Sequence, residues 1–200
     1  MSKEKSSPNK PSFLKEWGGV IVLFSCIAIL RLCFLNHYMV PSGSMEPVLQ
    51  PKDRVLVDMR AYGLRVPFTN HTIVETGKPK QGDVVLFFSP DKKVRLIKRI
   101  VATEGQKFEV RNGLLIIDDK SLQVSEEQEK IGETLVTLNL ESGPGPDFGP
   151  TIVPKGKLLM IGDHRGNSLD GRMFGFIDEE TVYGKAQGIF WRNGFVWRKL

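Results

Sequence analysis

The stretch Pro41-Ser42-Gly43-Ser44-Met45-Glu46-Pro47 sets two hydroxyls on either side of a glycine, directly behind a long apolar run. A serine becomes a nucleophile when a neighbouring base takes its proton. No histidine lies near this stretch in the sequence. The hydrolase elbow G-x-S-x-G needs glycines two places before and after the serine, where this chain has Ser42 and Glu46. A Walker loop fails as well, because Gly77 and Gly82 are followed by Asp83 instead of lysine. The run Asp163 to Asp170 is a poor calcium loop, since Arg165 stands where a ligand oxygen is required. His37, His71 and His164 have no metal-ligand spacing, so no histidine metal site is expected.

A serine with a base other than histidine remains. The candidate is Lys98, in VRLIKRIVA (94–102). Read as a strand, one face carries Val94, Leu96, Lys98, Ile100 and Ala102, so Lys98 is the one charge on an apolar face. Arg95 and Arg99 face the other way. Burial disfavours an ammonium and lowers its pKa from about 10.4, and a neutral amine can take a hydroxyl proton. Taken alone, such a lysine is better read as a snorkelling side chain at a strand edge. A third stretch, GDHRGNSLDGRMFGF (162–176), crowds Asp163, Arg165, Asn167, Ser168, Asp170 and Arg172 into a glycine-rich loop. It is either a surface loop or a site loop, with a hydroxyl to orient an amine and carboxylates to pair with arginines.

These groups need elements to hold them. The polar tail 1–16 precedes an apolar run from Trp17 to Leu35, broken by Arg31 near its end. A membrane span needs roughly 20 such residues, and Trp17 and Tyr38 bracket the run like interfacial anchors. A transmembrane anchor is expected over 17–36, preferred to a cleaved signal peptide because no A-x-A site follows it. Lys3, Lys5, Lys10 and Lys15 outnumber Glu4 and Glu16, which puts the tail in the cytoplasm and the rest outside. The cysteines, Cys26 and Cys33, both fall in this run, leaving 36–200 without a disulfide framework. The net charge of +5 suits an anionic partner, phospholipid or nucleic acid.

Beyond Met39, short β-branched and aromatic runs alternate with turn residues. The expected strands are RVLVDM, DVVLFF, KVRLIKRIVA, KFEVR, LLIID, KLLMIG, GKAQGIFW and FVWRK. Asn112-Gly113 and Asn193-Gly194 each sit between two such runs, a strong hairpin signal. SEEQEKIGE (125–133) reads as a solvated loop or short helix, and 141–150 as a loop. The expectation is a mainly β, antiparallel, barrel-like domain over 37–200, with a small inserted β region at about 103–160, on a membrane tether.

The boxes PSGSMEPVL, GDVVLF (82–87), KRIV (98–101), FGPTIVPKGKLLMIGDHRGNSLDGRMFGF and GKAQGIFW, in this order behind an anchor, closely resemble bacterial type I signal peptidases. The resemblance implies Ser44 as nucleophile and Lys98 as general base. It makes the Ser44 backbone N–H and the Ser42 hydroxyl an oxyanion hole, and Ser168 the residue that orients the amine. Asp163 would pair with Arg99 and Asp170 with Arg172. Tyr38, Val40, Met45, Leu49, Leu96 and Ile97 would line shallow apolar pockets. The family cuts secretory preproteins after small residues at the −1 and −3 positions. The chain departs from the family's pattern at Val48, usually Thr, at Ala102–Gln106, usually GLPGD, and at His164 and Gly166, usually Asn and Asp. His164 is read as peripheral.

The implied enzyme is a membrane-bound serine endopeptidase working through an acyl-enzyme. It needs no metal or cofactor and has no nucleic-acid partner. It would be a single-pass monomer of the inner cell membrane with its catalytic domain on the periplasmic side. Its partners are signal peptides and phospholipid, and the alternating Trp, Phe, Arg and Lys of GIFWRNGFVWRKL suit headgroups as well as they suit a basic edge hairpin. The alternatives are a processing peptidase with one dedicated conjugation- or pilus-type substrate, and a non-catalytic tethered homologue. A self-cleaving repressor-type protease would carry a DNA-binding segment where this chain has its apolar run.

Overall fold

The computed structural model describes residues 13–33, 35–65, 72–91 and 93–200. Most of the expected polar tail, and the side chains of Arg31 and Cys33, lie outside the described residues. The chain runs α1 (Phe13–Cys33), β1 (Leu35–Met39), β2 (Arg54–Asp58), β3 (Leu64–Arg65), β4 (Thr72–Val74), β5 (Val84–Phe88) and β6 (Arg95–Thr103). An insert follows, with β7 (Lys107–Arg111), β8 (Leu114–Ile117), β9 (Lys120–Ser121), β10 (Gln123–Ser125), β11 (Gln128–Ile131), β12 (Thr134–Thr137) and β13 (Phe148–Ile152). The chain closes with β14 (Lys157–Ile161), α2 (Gly171–Phe174), β15 (Ile177–Asp178), β16 (Val182–Trp191) and β17 (Phe195–Lys199).

The protein is mainly β and its strand pairs are antiparallel, as the alternation predicts. The principal sheet has the order β1-β2-β16-β5-β6-β14-β15, with β17 added on β16. Both Asn-Gly pairs turn hairpins, β7–β8 and β16–β17. Asn112 and Gly113 have φ of 51° and 77°, the left-handed region that such a turn needs and that Asn and Gly tolerate best. The insert forms two small sheets. It shares one core with the main sheet, in which Phe108, Leu115, Ile131 and Val136 pack with Val101, Ala102, Leu159 and Ile161.

One sequence expectation changes. The charged segment 125–133 is neither a solvated loop nor a helix. It contains most of the β10–β11 hairpin, with Glu129 and Ile131 fully buried. Its one inward carboxylate has a cationic partner far along the chain, which local charge density hides. The apolar run 17–36 is largely helical in α1, but among the described residues no helix is long and apolar enough to cross a membrane. Val20, Ile21, Val22, Leu23, Phe24 and Ile27 of α1 are all exposed.

Candidate active site

The nucleophile candidate sits in a tight turn between β1 and β2. Glu46 N–H donates to the Gly43 carbonyl at 3.0 Å and Leu49 N–H to Met45 at 2.9 Å. Met45 and Leu49 point inward and are fully buried with Val55, Val57, Val84 and Ile97, so two core side chains pin the turn. A side chain at Gly43 would be impossible without moving Glu46, since a Cβ there would lie 2.9 Å from the Glu46 carboxyl. The backbone at Gly43 is not left-handed, and the group a side chain would meet is the end of the flexible, partly exposed Glu46 side chain.

Lys98 arrives from the centre of β6. It pairs across to Val85, as Leu96 does to Phe87, and directly paired residues share a face. Lys98 is 3% exposed. Its Nζ donates a short hydrogen bond to Ser44 Oγ. Burial is the main reason its pKa falls from 10.5 to about 8; Asp170 and Asp163 oppose the fall and Arg172 adds to it. A useful fraction of the amine is thus neutral near physiological pH, about a tenth at pH 7. Ser42 Oγ lies 3.4 Å from Ser44 Oγ, a long contact that places both hydroxyls on one side of the turn.

The loop after β14 braces this pair. Arg99, on the face opposite Lys98, is also buried because Asp163 meets its guanidinium in a fork at 2.9 and 2.7 Å. Arg99 Nη1 donates to the Gly82 carbonyl at 2.8 Å. Asp170 caps α2 and grips Arg172 with both oxygens, at 2.9 Å each. Burial pushes the Asp170 carboxyl up, but the Arg172 fork and the Gly162 N–H outweigh it and hold the carboxyl below its ordinary value. Ser168 Oγ is buried and has no well-formed hydrogen-bond partner, though it is near enough to Asp170 to help hold that carboxyl low. A bond from Ser168 to Lys98 is not formed; the amine is turned to Ser44. Gly162 lets the loop close on the turn, since a Cβ there would lie 2.2 Å from Ser168 Oγ and 2.4 Å from the Ser44 carbonyl.

Three residues escaped the sequence reading. His164 is not peripheral: its ring contacts Gly43 and Ser142, and its backbone N–H donates to the Ser44 carbonyl at 3.2 Å. Arg165 is wholly buried and reaches Glu129 at 2.7 Å, with further bonds to the Gly162 and Gly113 carbonyls. Only their shared membership of the Asp- and Arg-rich loop marked the first two in sequence, and nothing marked Glu129.

Of the pocket candidates, Tyr38 and Leu96 are half-buried and present surface, and Tyr38 Oη donates to the Arg95 carbonyl at 3.3 Å. Val40 and Ile97 are buried, and Met45 and Leu49 are 0% exposed. These four are core residues behind the site rather than an open lining.

A buried amine with a lowered pKa on a serine hydroxyl, beside carboxylates paired with arginines, has the geometry to take that hydroxyl's proton. The family model described as "Signal peptidase, peptidase S26" matches residues 14–191. The chain belongs to the signal peptidase family S26. Signal peptidase I T of Bacillus subtilis is 31% identical over 195 residues, covering 94% of this chain and 90% of its own. Signal peptidase I of Pseudomonas fluorescens is 32% identical over 212 residues, covering 91% and 74%. A solved signal peptidase I from Enterococcus faecalis V583 is 29% identical and covers 54% of this chain and 96% of its own, with a TM-score of 0.39. Membership of S26 rests on the sequence matches. The chain is a serine peptidase of this family.

Proposed function

We infer that this signal peptidase removes N-terminal signal peptides from preproteins with Ser44 as nucleophile and Lys98 as general base. The observation that carries the reading is the hydrogen bond between the Lys98 amine and Ser44 Oγ in a site that lowers the amine's pKa. Neutral Lys98 takes the Ser44 proton as Oγ bonds to the scissile carbonyl carbon. The oxyanion faces the Ser44 N–H and the Ser42 hydroxyl. The ammonium then returns the proton to the departing amine as the C–N bond breaks. Water, deprotonated by the same amine, hydrolyses the ester and frees Ser44. Ser168 stands beside the Ser44 carbonyl with an unused hydroxyl, available to hold the amine once Ser44 is acylated.

The substrate would bind as an added strand. β14 pairs with β6 only from Arg99 onward, so Arg95–Lys98 has no strand partner on the side away from β5 among the described residues. An extended peptide can take its backbone hydrogen bonds there. The buried wall of Val40, Met45, Leu49 and Ile97 leaves little depth for side chains, which favours small residues at the −1 and −3 positions.

The apolar side chains exposed on α1 support an anchor in a lipid bilayer, with the tail cytoplasmic and the catalytic domain outside. The domain would work as a monomer with its β16–β17 hairpin at the membrane surface. Cleavage of a signal-bearing preprotein by Ser44→Ala and by Lys98→Met tests the dyad. Both variants are expected to be inactive, and wild-type-like cleavage by either would sink the reading.

A further inference from the structure

We propose that His164 is a positioning residue that orients the oxyanion-hole peptide. The inference rests on the reading of Ser44 N–H as an oxyanion donor. That N–H and the Gly43 carbonyl belong to one planar peptide unit and point in opposite directions. Whatever holds the carbonyl therefore aims the N–H. His164 Nδ1 lies 3.2 Å from the Gly43 oxygen. A carbonyl can only accept, so Nδ1 carries the proton in this contact.

The same oxygen also accepts from Glu46 N–H at 3.0 Å, so both of its lone pairs are engaged. Turning the peptide over would break both bonds at once. The histidine ring is itself fixed. Nε2 meets Ser142 Oγ at 3.0 Å, and the Glu46 carboxylate lies 3.5 Å from Nδ1. The backbone around His164 is held on two sides. Asn139 N–H donates to Asp163 O and Arg165 N–H to Asn139 O, each at 3.0 Å, and His164 N–H donates to Ser44 O. Residue 164 thus bridges the inserted region and the nucleophile turn. A donor on the carbonyl also draws charge along the amide and makes its N–H a stronger donor to an oxyanion.

The test compares kcat and KM for preprotein cleavage by the full-length enzyme and three variants. Asparagine places an amide nitrogen close to the Nδ1 position, whereas glutamine reaches the Nε2 position near Ser142. His164→Asn is expected to keep kcat within a few fold. His164→Ala and His164→Gln are expected to lose roughly tenfold to a hundredfold in kcat with little change in KM, since the loss falls on the transition state. Full kcat in His164→Ala, or a loss confined to KM, would overturn the inference. If the alanine variant does not fold, equal kcat in the Asn and Gln variants overturns it and the expected split supports it. Ser44→Ala in the same assay separates the two claims. Activity there overturns the dyad and this inference together, while an inactive Ser44→Ala beside a fully active His164→Ala overturns this inference alone.

Discussion

Arg165 and Glu129 meet at 2.7 Å although 36 residues separate them, and neither side chain reaches water. The second Glu129 oxygen accepts from Leu115 N–H. One carboxylate therefore joins β8 and β11 of the insert to the loop that carries Asp163, Ser168 and Asp170. The insert braces the site loop and is part of the same packed unit.

Removing half of that pair should be costly. Glu129→Gln keeps the volume but leaves Arg165 buried without a counter-charge, which typically costs about 3–5 kcal/mol. Denaturant unfolding is expected to show a loss of at least about 2 kcal/mol. A change within ±0.5 kcal/mol, the range of an ordinary surface substitution, would mean the pair braces nothing.

Asp170 is the larger of the two carboxylate influences that raise the Lys98 pKa. Asp170→Asn keeps acceptor and shape but removes the charge. The acid limb of the pH–rate profile should therefore move below about 8, even as stability falls through the loss of the Arg172 pair. Movement of that limb to higher pH would show that Asp170 does not act on Lys98 through its charge.

The depressed Lys98 pKa also makes a stability prediction. The unfolded amine binds its proton up to about 10.5 and the folded one only to about 8. The unfolded state thus holds more protons between these values, so folding gains stability as pH rises through the window. The contribution is complete above 10.5 and is lost as pH falls through 8. The stability of wild type relative to Lys98→Met should climb over this range by up to about 3 kcal/mol. A flat difference across the window would contradict a buried, poorly solvated amine.

The β16–β17 hairpin carries Phe195, 84% exposed, with exposed Trp191, Trp197 and Lys199 beside it. Large exposed aromatics next to basic residues suit a headgroup region. Phe195→Ser combined with Trp197→Ser should weaken binding of the catalytic domain alone, residues 37–200, to anionic phospholipid vesicles several-fold, leaving cleavage of a short soluble peptide unchanged. Unaltered vesicle binding would argue that the hairpin points away from lipid.

Much of this architecture can be read from the chain because its signals are local. Short apolar runs bounded by turn residues mark β5, β6 and β14, which are buried on both faces, and Asn-Gly marks both hairpins. Lys98 is one charge on an apolar strand face, and the resemblance to type I signal peptidases is what selects Ser44 over Ser42. What sequence could not show are pairings across long separations. Glu129 looked solvated because its partner is 36 residues away. His164 looked peripheral because its partner is a backbone carbonyl, which no side-chain pattern reports. Ser168 reads as a lysine-orienting group, yet the Lys98 amine meets Ser44 and no hydrogen bond joins it to Ser168.

The pH dependence of kcat/KM for preprotein cleavage, measured from pH 6 to 10 on the full-length enzyme, tests the Ser44–Lys98 dyad most directly. The rate should rise with a single ionisation near 8 and level off above it, as the Lys98 ammonium gives up its proton. A profile that is flat across this range, or that falls as the pH rises through 8, would contradict a neutral lysine as the base.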